Sequence, residues 1–411
     1  MEKKKLQINK KKVLIWLFAL LIVAGFAFYL VNSTTFKNFK LGFFGDNGVS
    51  SEKVEIAVYE PFSGADSRGA AAELRGIQLA HELYPEVLGK KVELVNVDNR
   101  SDLTAAQEAA QEIVLRAPKI VLGSYGSVYS LAAASYFEEA EIPAVSITNV
   151  NPIVTENNPL YISISYSEDY EAVALAKYAH ESLKAIGIAS LYPVGDQVAQ
   201  SHSKAFEEKM IQLSGNIKIM RSEQSYPVGT EEYSEYLMNI KRAGAQAVFL
   251  PVGTADALKI IRQARELGIR SVFLGPSSWD EPAFAGNLGE KENAVVFPTA
   301  FDPRSSITEM TDIFIDAYHE KYGQNMTPVS AEAMGFDAYL LALSAIENAG
   351  IDARGKDIIE SVIHNRGFQG ASGSISFDTS GSAIKSVIIK SASGGVINSI
   401  YTVEPNWVNI E

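Results

Sequence analysis

The sequence predicts an α/β protein of two doubly wound lobes, preceded by one N-terminal transmembrane helix. Three observations carry this. Short, β-branched apolar runs alternate with helical patterns from Val54 onward. The ~360 residues after the N-terminal region exceed one domain and suit two, at roughly 150 residues each. Val13 to Val31 is an unbroken run of 19 apolar or glycine residues, about 28 Å of helix against a hydrocarbon core of about 30 Å.

Met1 to Lys12 carries six lysines against Glu2. That asymmetry predicts a cytoplasmic basic N-terminus over 1–12, a signal anchor over 13–31, and an extracytoplasmic remainder. A cleavable signal peptide has a shorter apolar region of roughly 7–15 residues, although Ala24-Gly25-Phe26-Ala27 leaves cleavage open. Residues 32–53 read as a polar stalk. Without residues 1–12, Lys+Arg falls from 36 to 30 and Asp+Glu from 49 to 48, a net charge of −18. Such an acidic chain argues against nucleic acid as a partner. With no cysteine, disulfides, thiol catalysis, zinc–thiolate sites and a lipid-anchored cysteine are excluded.

Val54 to Val58 is the first expected strand, opening into a loop through Ser63 and Arg68 to Gly69. Leu74, Ile77, Ala80 and Tyr84 share one face of the helix from about Ala70. Val92 to Val97 is a strand and Leu103 to Arg116 a helix stopped by Pro118. A second βα series follows Tyr161. Helices are expected at Tyr170–Ala185, Asp196–Leu213, Thr230–Arg242 and Thr254–Leu267, and strands at Ile188–Tyr192, Ile217–Met220, Ala247–Pro251 and Ser271–Leu274. Ala294 to Phe297 and two long helices, Ser306–Tyr322 and Ser330–Asn348, precede a helix at Lys356–His364. The tail reads as β over Gly373–Asp378, Ala383–Lys390 and Val396–Val403.

The stretch from Pro118 to Thr155 organises the first lobe. Lys119-Ile120-Val121-Leu122 and Pro143-Ala144-Val145-Ser146-Ile147 read as neighbouring buried parallel strands. Each opens into a polar loop, Gly123 to Ser127 and Thr148 to Pro152. Open α/β sheets bind ligands in such a crevice. Ser127 occupies an N-cap position before a helix over Val128–Glu139. Its hydroxyl and the free first-turn N–H groups face an anion, or the serine simply caps its own helix; both readings stand. No Lys-Ser/Thr pair follows the glycines, so this is not a nucleotide P-loop.

The order of elements, with Pro61-Phe62-Ser63-Gly64, Gly76, Asp98, Gly123 with Ser127, Pro152, Arg262-Gln263-Ala264-Arg265 with Gly268, and Gly373 with Phe377-Asp378 and Gly381, resembles the type I periplasmic binding protein family. The likeness is to its leucine/isoleucine/valine-binding branch, which serves ABC transporters, and covers about Val54 to Val403. It implies Rossmann-like lobes joined by a three-crossing hinge, near Ser163–Ser165, Phe297–Ala300 and Ser376–Asp378. The lobes would be 54–163 plus 300–376, and 164–299 plus 377–411. It implies that Ser127 and the Thr148-Asn149-Val150 loop hold an amino acid's carboxylate. Val150 stands where the family often has threonine, so Thr148 or Asn149 would substitute. The family's acidic anchor for the ammonium group falls on Ser277, with Asp280 and Glu281 close behind.

Further candidates are Arg68 for an acidic ligand group, Tyr125 at the loop tip, Trp279 stacking at the rim or capping the second-lobe core, and Asp196 and Asp280 as ligand anchors or helix caps. Ser63 completes the set. Asp337, inside a helix, reads as structural. The five histidines are scattered, with no His-Glu-x-x-His, and there is no Gly-x-Ser-x-Gly elbow. The chain is therefore expected to be no enzyme and to need no cofactor or metal. The expected role is a membrane-tethered extracytoplasmic solute-binding protein. It would capture an amino acid or related small carboxylate and deliver it to an ABC permease. A ligand-sensing ectodomain acting through a partner membrane protein is the alternative.

Overall fold

The computed structural model describes residues 53–156, 158–215, 220–364 and 366–405. The expected basic N-terminus, transmembrane helix and nearly all of the stalk lie outside these residues. Among the described residues, no helix is long and apolar enough to cross a membrane.

The first sheet is built from β1 (Lys53–Glu60), β2 (Glu86–Val87), β3 (Lys90–Asp98), β4 (Ile120–Gly123), β5 (Ala144–Ser146) and β6 (Tyr161–Ser163). Their order is β2-β3-β1-β4-β5-β6, parallel except for the short edge strand β2. Helices α1 (Ser67–Leu83), α2 (Leu103–Arg116), α3 (Ser127–Glu139) and the short α4 (Ile153–Glu156) connect them. β1 is apolar on both faces, as a strand covered by helices on both sides must be. The strand order reverses at β1, between β3 and β4, and this opens a crevice at their carboxyl ends.

The second sheet follows α5 (Glu168–Glu181). It contains β7 (Gly187–Pro193), β8 (Met220–Tyr226), β9 (Ala247–Phe249), β10 (Val272–Leu274) and β11 (Val295–Thr299), linked by α6 (Gln197–Ser214), α7 (Ser234–Arg242), α8 (Thr254–Glu266) and the one-turn α9 (Pro282–Gly286). The chain then returns to the first lobe as α10 (Glu309–Tyr322), α11 (Ser330–Ala349) and α12 (Gly355–His364), with the small sheet β12 (Phe368–Gly370), β13 (Gly373–Phe377) and β14 (Ala383–Ile384). Finally β15 (Val387–Ser393) joins the second sheet antiparallel to β11, and β16 (Val396–Val403) pairs antiparallel to β15 at its edge. The result is a two-lobed α/β fold in which the chain passes between the sheets three times.

Boundaries differ from the sequence reading where polar residues end an element. β1 runs on to Glu60, which pairs with Asp98 of β3. The strand expected at Ile217–Met220 is β8, Met220–Tyr226, which pairs with β7 along its whole length. Ala383–Lys390 divides into β14 and β15. α5 starts at Glu168, where Ser167 accepts from the Tyr170 N–H as its N-cap.

Two packing features position the site. α1 and α11 cross backbone to backbone, since a Cβ on Gly76 would lie 1.9 Å from the Glu332 carbonyl oxygen, and one on Gly335 would lie 2.2 Å from that of Glu73. At the last passage between the lobes, buried Asp337 of α11 accepts from the Ala371 and Ser372 N–H groups and from the Ser372 hydroxyl. Lys385 Nζ, also buried, donates to that hydroxyl, and its carbonyl accepts from Tyr170 of α5. Asp337 is structural, as its helical position suggests.

Gly335→Ala forces a methyl into backbone that has no room to yield. It is expected to lower unfolding free energy by about 1–3 kcal/mol, read as a lower urea midpoint; an unchanged midpoint would refute the tight crossing.

Candidate functional site

The crevice is walled on one side by the loops after β1, β4 and β5, and on the other by loops of the second sheet. Gly126, with φ +89°, is the N-cap of α3, and Ser127 is its first residue. This corrects the expected N-cap role: Ser127 does not cap its helix. Its half-buried hydroxyl makes no hydrogen bond among the described residues. A free hydroxyl at the start of a helix lies at the positive end of the helix dipole.

The remaining groups of these loops turn inward. Glu60, at the end of β1, and Glu73, on the buried face of α1, are fully buried. The Tyr125 N–H donates to Glu60 at 2.6 Å, and the Thr148 hydroxyl donates to Glu73. Gly123 makes room for Glu60, because a Cβ there would lie 2.4 Å from its Oε1. Burial, then the charge of Glu73, holds the Glu60 carboxyl well above the carboxylate range, although Tyr125 N–H opposes it. Burial likewise pushes Glu73 up to about 7, against the hydrogen bonds from Thr148. The pair therefore retains a proton near neutrality, which lowers the cost of two buried carboxyls in one site.

Thr148 is thus engaged by Glu73. Asn149 is 4% exposed, with its amide nitrogen on Ser130 at 2.7 Å. Its side chain belongs to the floor of the lobe. Ser63 gives its N–H and hydroxyl to Asp98, at 3.2 and 2.7 Å. The Tyr125 ring lies against Gly69. Its phenol is pushed up by burial, then by the charges of Glu73 and Glu281. Arg68 is exposed and makes no ion pair among the described residues.

On the second-lobe side, Ser277 opens a 3-10 turn, Ser277–Trp279. Its N–H donates to Oε2 of Glu171, on α5, at 3.1 Å. Trp279 is fully buried, bonded through Nε1 to the Val252 carbonyl and packed on Phe284. It belongs to the core, which corrects its expected place at the rim. Asp280 is also corrected as a free anchor or cap. Its carboxylate pairs with Lys390 at 2.9 Å and accepts from Thr299 at 2.6 Å, and its side chain is 10% exposed. Asp196 caps α6, accepting from the Ala199 N–H at 2.9 Å. No group of three or more metal-ligating side chains occurs among the described residues.

The ten candidates therefore divide. Ser127, Tyr125 and Arg68 keep side-chain polar atoms without a hydrogen bond among the described residues, Ser277 gives its N–H to Glu171, and the side chains of the other six bond within their own lobe. Glu60, Glu73 and Glu171 were missed. Each shares its element with other charged residues, Glu55 in β1, Arg75 and Glu82 in α1, Glu168 and Asp169 in α5, so no local signal marks its burial.

Residues 53–393 match the family described as periplasmic binding protein. The chain belongs to that family. A crystal structure of a leucine binding protein from Thermotoga maritima is 30% identical with a TM-score of 0.74, covering 86% of this chain and 99% of that one. A leucine-, isoleucine-, valine-, threonine-, and alanine-binding protein of Pseudomonas aeruginosa is 24% identical over 375 residues, 89% of this chain and 91% of that protein. A Leu/Ile/Val-binding protein homolog of Brucella melitensis is 26% identical over 344 residues, 74% of this chain and 84% of that protein. These relatives are solute-binding proteins, and this family member is likewise no enzyme.

Glu73 and Glu171, both pushed up to about 7 by burial, bind protons more tightly in the folded than in the unfolded chain. Their stabilisation is complete below the ordinary glutamate pKa and is lost as pH rises through about 7. The urea midpoint is expected to fall between pH 5 and pH 8, and Glu73→Gln should flatten part of that fall. A midpoint that rises over this window would contradict the raised pKa values.

Proposed function

We propose that this protein captures an amino acid or related small carboxylate between its lobes and delivers it to an ABC permease. The observation that carries this reading is the free Ser127 hydroxyl at the N-terminus of α3, a 13-residue helix. The first-turn N–H groups and this hydroxyl suit a carboxylate, while Ser277 and its neighbours offer the other wall. The Thr148 hydroxyl and the Asn149 amide nitrogen are engaged below, so in this reading those two groups shape the wall and do not hold the ligand. Arg68 and Tyr125 lie where they would close over the ligand from the first lobe.

In this reading the three passages between the sheets form the hinge. The split expected after 376 moves to after 384, because β14 pairs with β13 and Ser382 bridges Ser163 of β6: the first lobe takes 54–163 plus 300–384 and the second 164–299 plus 385–403. A ligand that contacts both walls only when they approach has a higher affinity for the closed state, and that difference sets the closed population. The lysine-rich start and the apolar run of Val13–Val31 support a membrane tether with the lobes outside the cell or in the periplasm.

A thermal-shift screen of residues 50–411 against amino acids, short carboxylates, amides and polyamines tests the ligand class. A true ligand at 100 times its dissociation constant adds about 2.7 kcal/mol, a shift of several degrees. No response across the panel would move the reading to a sensory or protein-binding role. For an amino acid that responds, Ser127→Ala should weaken binding by about 1–3 kcal/mol in calorimetry with an unchanged unliganded melt. Equal affinity would remove Ser127 from the site.

A further inference from the structure

Glu171, on the second-lobe wall, is a buried acid with only one of its two oxygens partnered. It lies in the first turn of α5 and is 4% exposed, in a helix with ten consecutive buried residues from Tyr170 to Ala179. One carboxylate oxygen, Oε2, accepts from the Ser277 N–H at 3.1 Å. The other, Oε1, has no hydrogen-bond partner. The Tyr166 hydroxyl, fully buried and with its ring stacked on that of Tyr170, the residue before Glu171, has none either. Other acids nearby are committed. Asp280 is neutralised by Lys390 at 2.9 Å, and Glu168 is paired with His202 at 2.6 Å.

Leaving a carboxylate oxygen and a hydroxyl unbonded in a dry site is costly, and a bound cation with several donors removes that cost. Ser277, on the half-buried turn directly above, carries only a neutral side chain. We propose that Glu171 is the second-lobe anchor for a primary ammonium group of the ligand, with the Tyr166 hydroxyl as a second acceptor beside it. The ammonium gives one N–H to Glu171 Oε1 and another to Tyr166. With the acid end on Ser127 of the opposite lobe, the two ends of an amino acid tie the walls together. This rests on the amino-acid reading above and specifies which residue reads the amino group.

The test uses L-leucine and 4-methylpentanoate, which has the same skeleton without the amino group, with wild-type protein and Glu171→Gln in calorimetry. If the screen selects another amino acid, that amino acid and its desamino counterpart take their places. Glutamine keeps the size and still accepts from the Ser277 N–H, and an unliganded melt checks that the variant folds. The expected result is at least a tenfold loss of L-leucine affinity, with 4-methylpentanoate affinity changed by less than about twofold. Equal loss for both probes would make Glu171 a structural residue, and no loss for either would remove it from the site; both overturn the assignment. If wild-type protein binds no amino acid, the amino-acid reading itself fails, a different result from wild-type binding that Glu171→Gln leaves intact.

Discussion

The first lobe depends on the contact between α1 and α11, where Gly76 and Gly335 let two helix backbones touch. Most helix pairs are held apart by interleaved side chains at about 8–10 Å between axes; here hydrogen takes the place of side chains on both helices. α11 is thereby drawn against the sheet, burying 13 of its 20 residues. The same approach fixes the rotation of α1 and so directs Glu73 under the Thr148 loop. The position of the Thr148 loop follows from this packing.

Beneath that loop the chain holds two carboxyls where a purely stabilising design would place aliphatic groups. Glu60 and Glu73 take up the Tyr125 N–H and the Thr148 hydroxyl. They fix the loop's shape from below and leave Ser127 as its free hydroxyl. Burial raises the proton affinity of both, which moderates the negative charge of that wall. The crevice thus combines a positive helix end with partly neutralised acids in one wall, and a buried acid behind the Ser277 turn in the other.

Much of the fold was legible in the sequence. Buried parallel strands are short and β-branched, and the loops that break them are rich in glycine and serine, as at Gly123 to Ser127. The site was legible only in part. Ser127 could be found because helix starts have local chemistry. Asp280 could not be assigned from its surroundings, because Lys390 lies 110 residues further along and reaches it only when β15 joins the second sheet. Trp279 reads equally as rim or core until the Val252 carbonyl supplies a partner for its ring N–H. Glu60 and Glu73 escaped because a glutamate at a strand end or on a helix is most often solvated. Their burial is a property of the assembled lobe.

The buried link at the last passage between the lobes has a further consequence. Dissolved ions weaken charged contacts through the water around them, with a screening length of about 8 Å at 0.15 M salt. The Asp337–Ser372–Lys385 chain is closed off from that water, whereas pairs such as Lys53–Glu93 stand in it. The passage between the lobes therefore keeps its geometry in dilute and briny surroundings alike, while the protein's outer charges strengthen and fade with the medium.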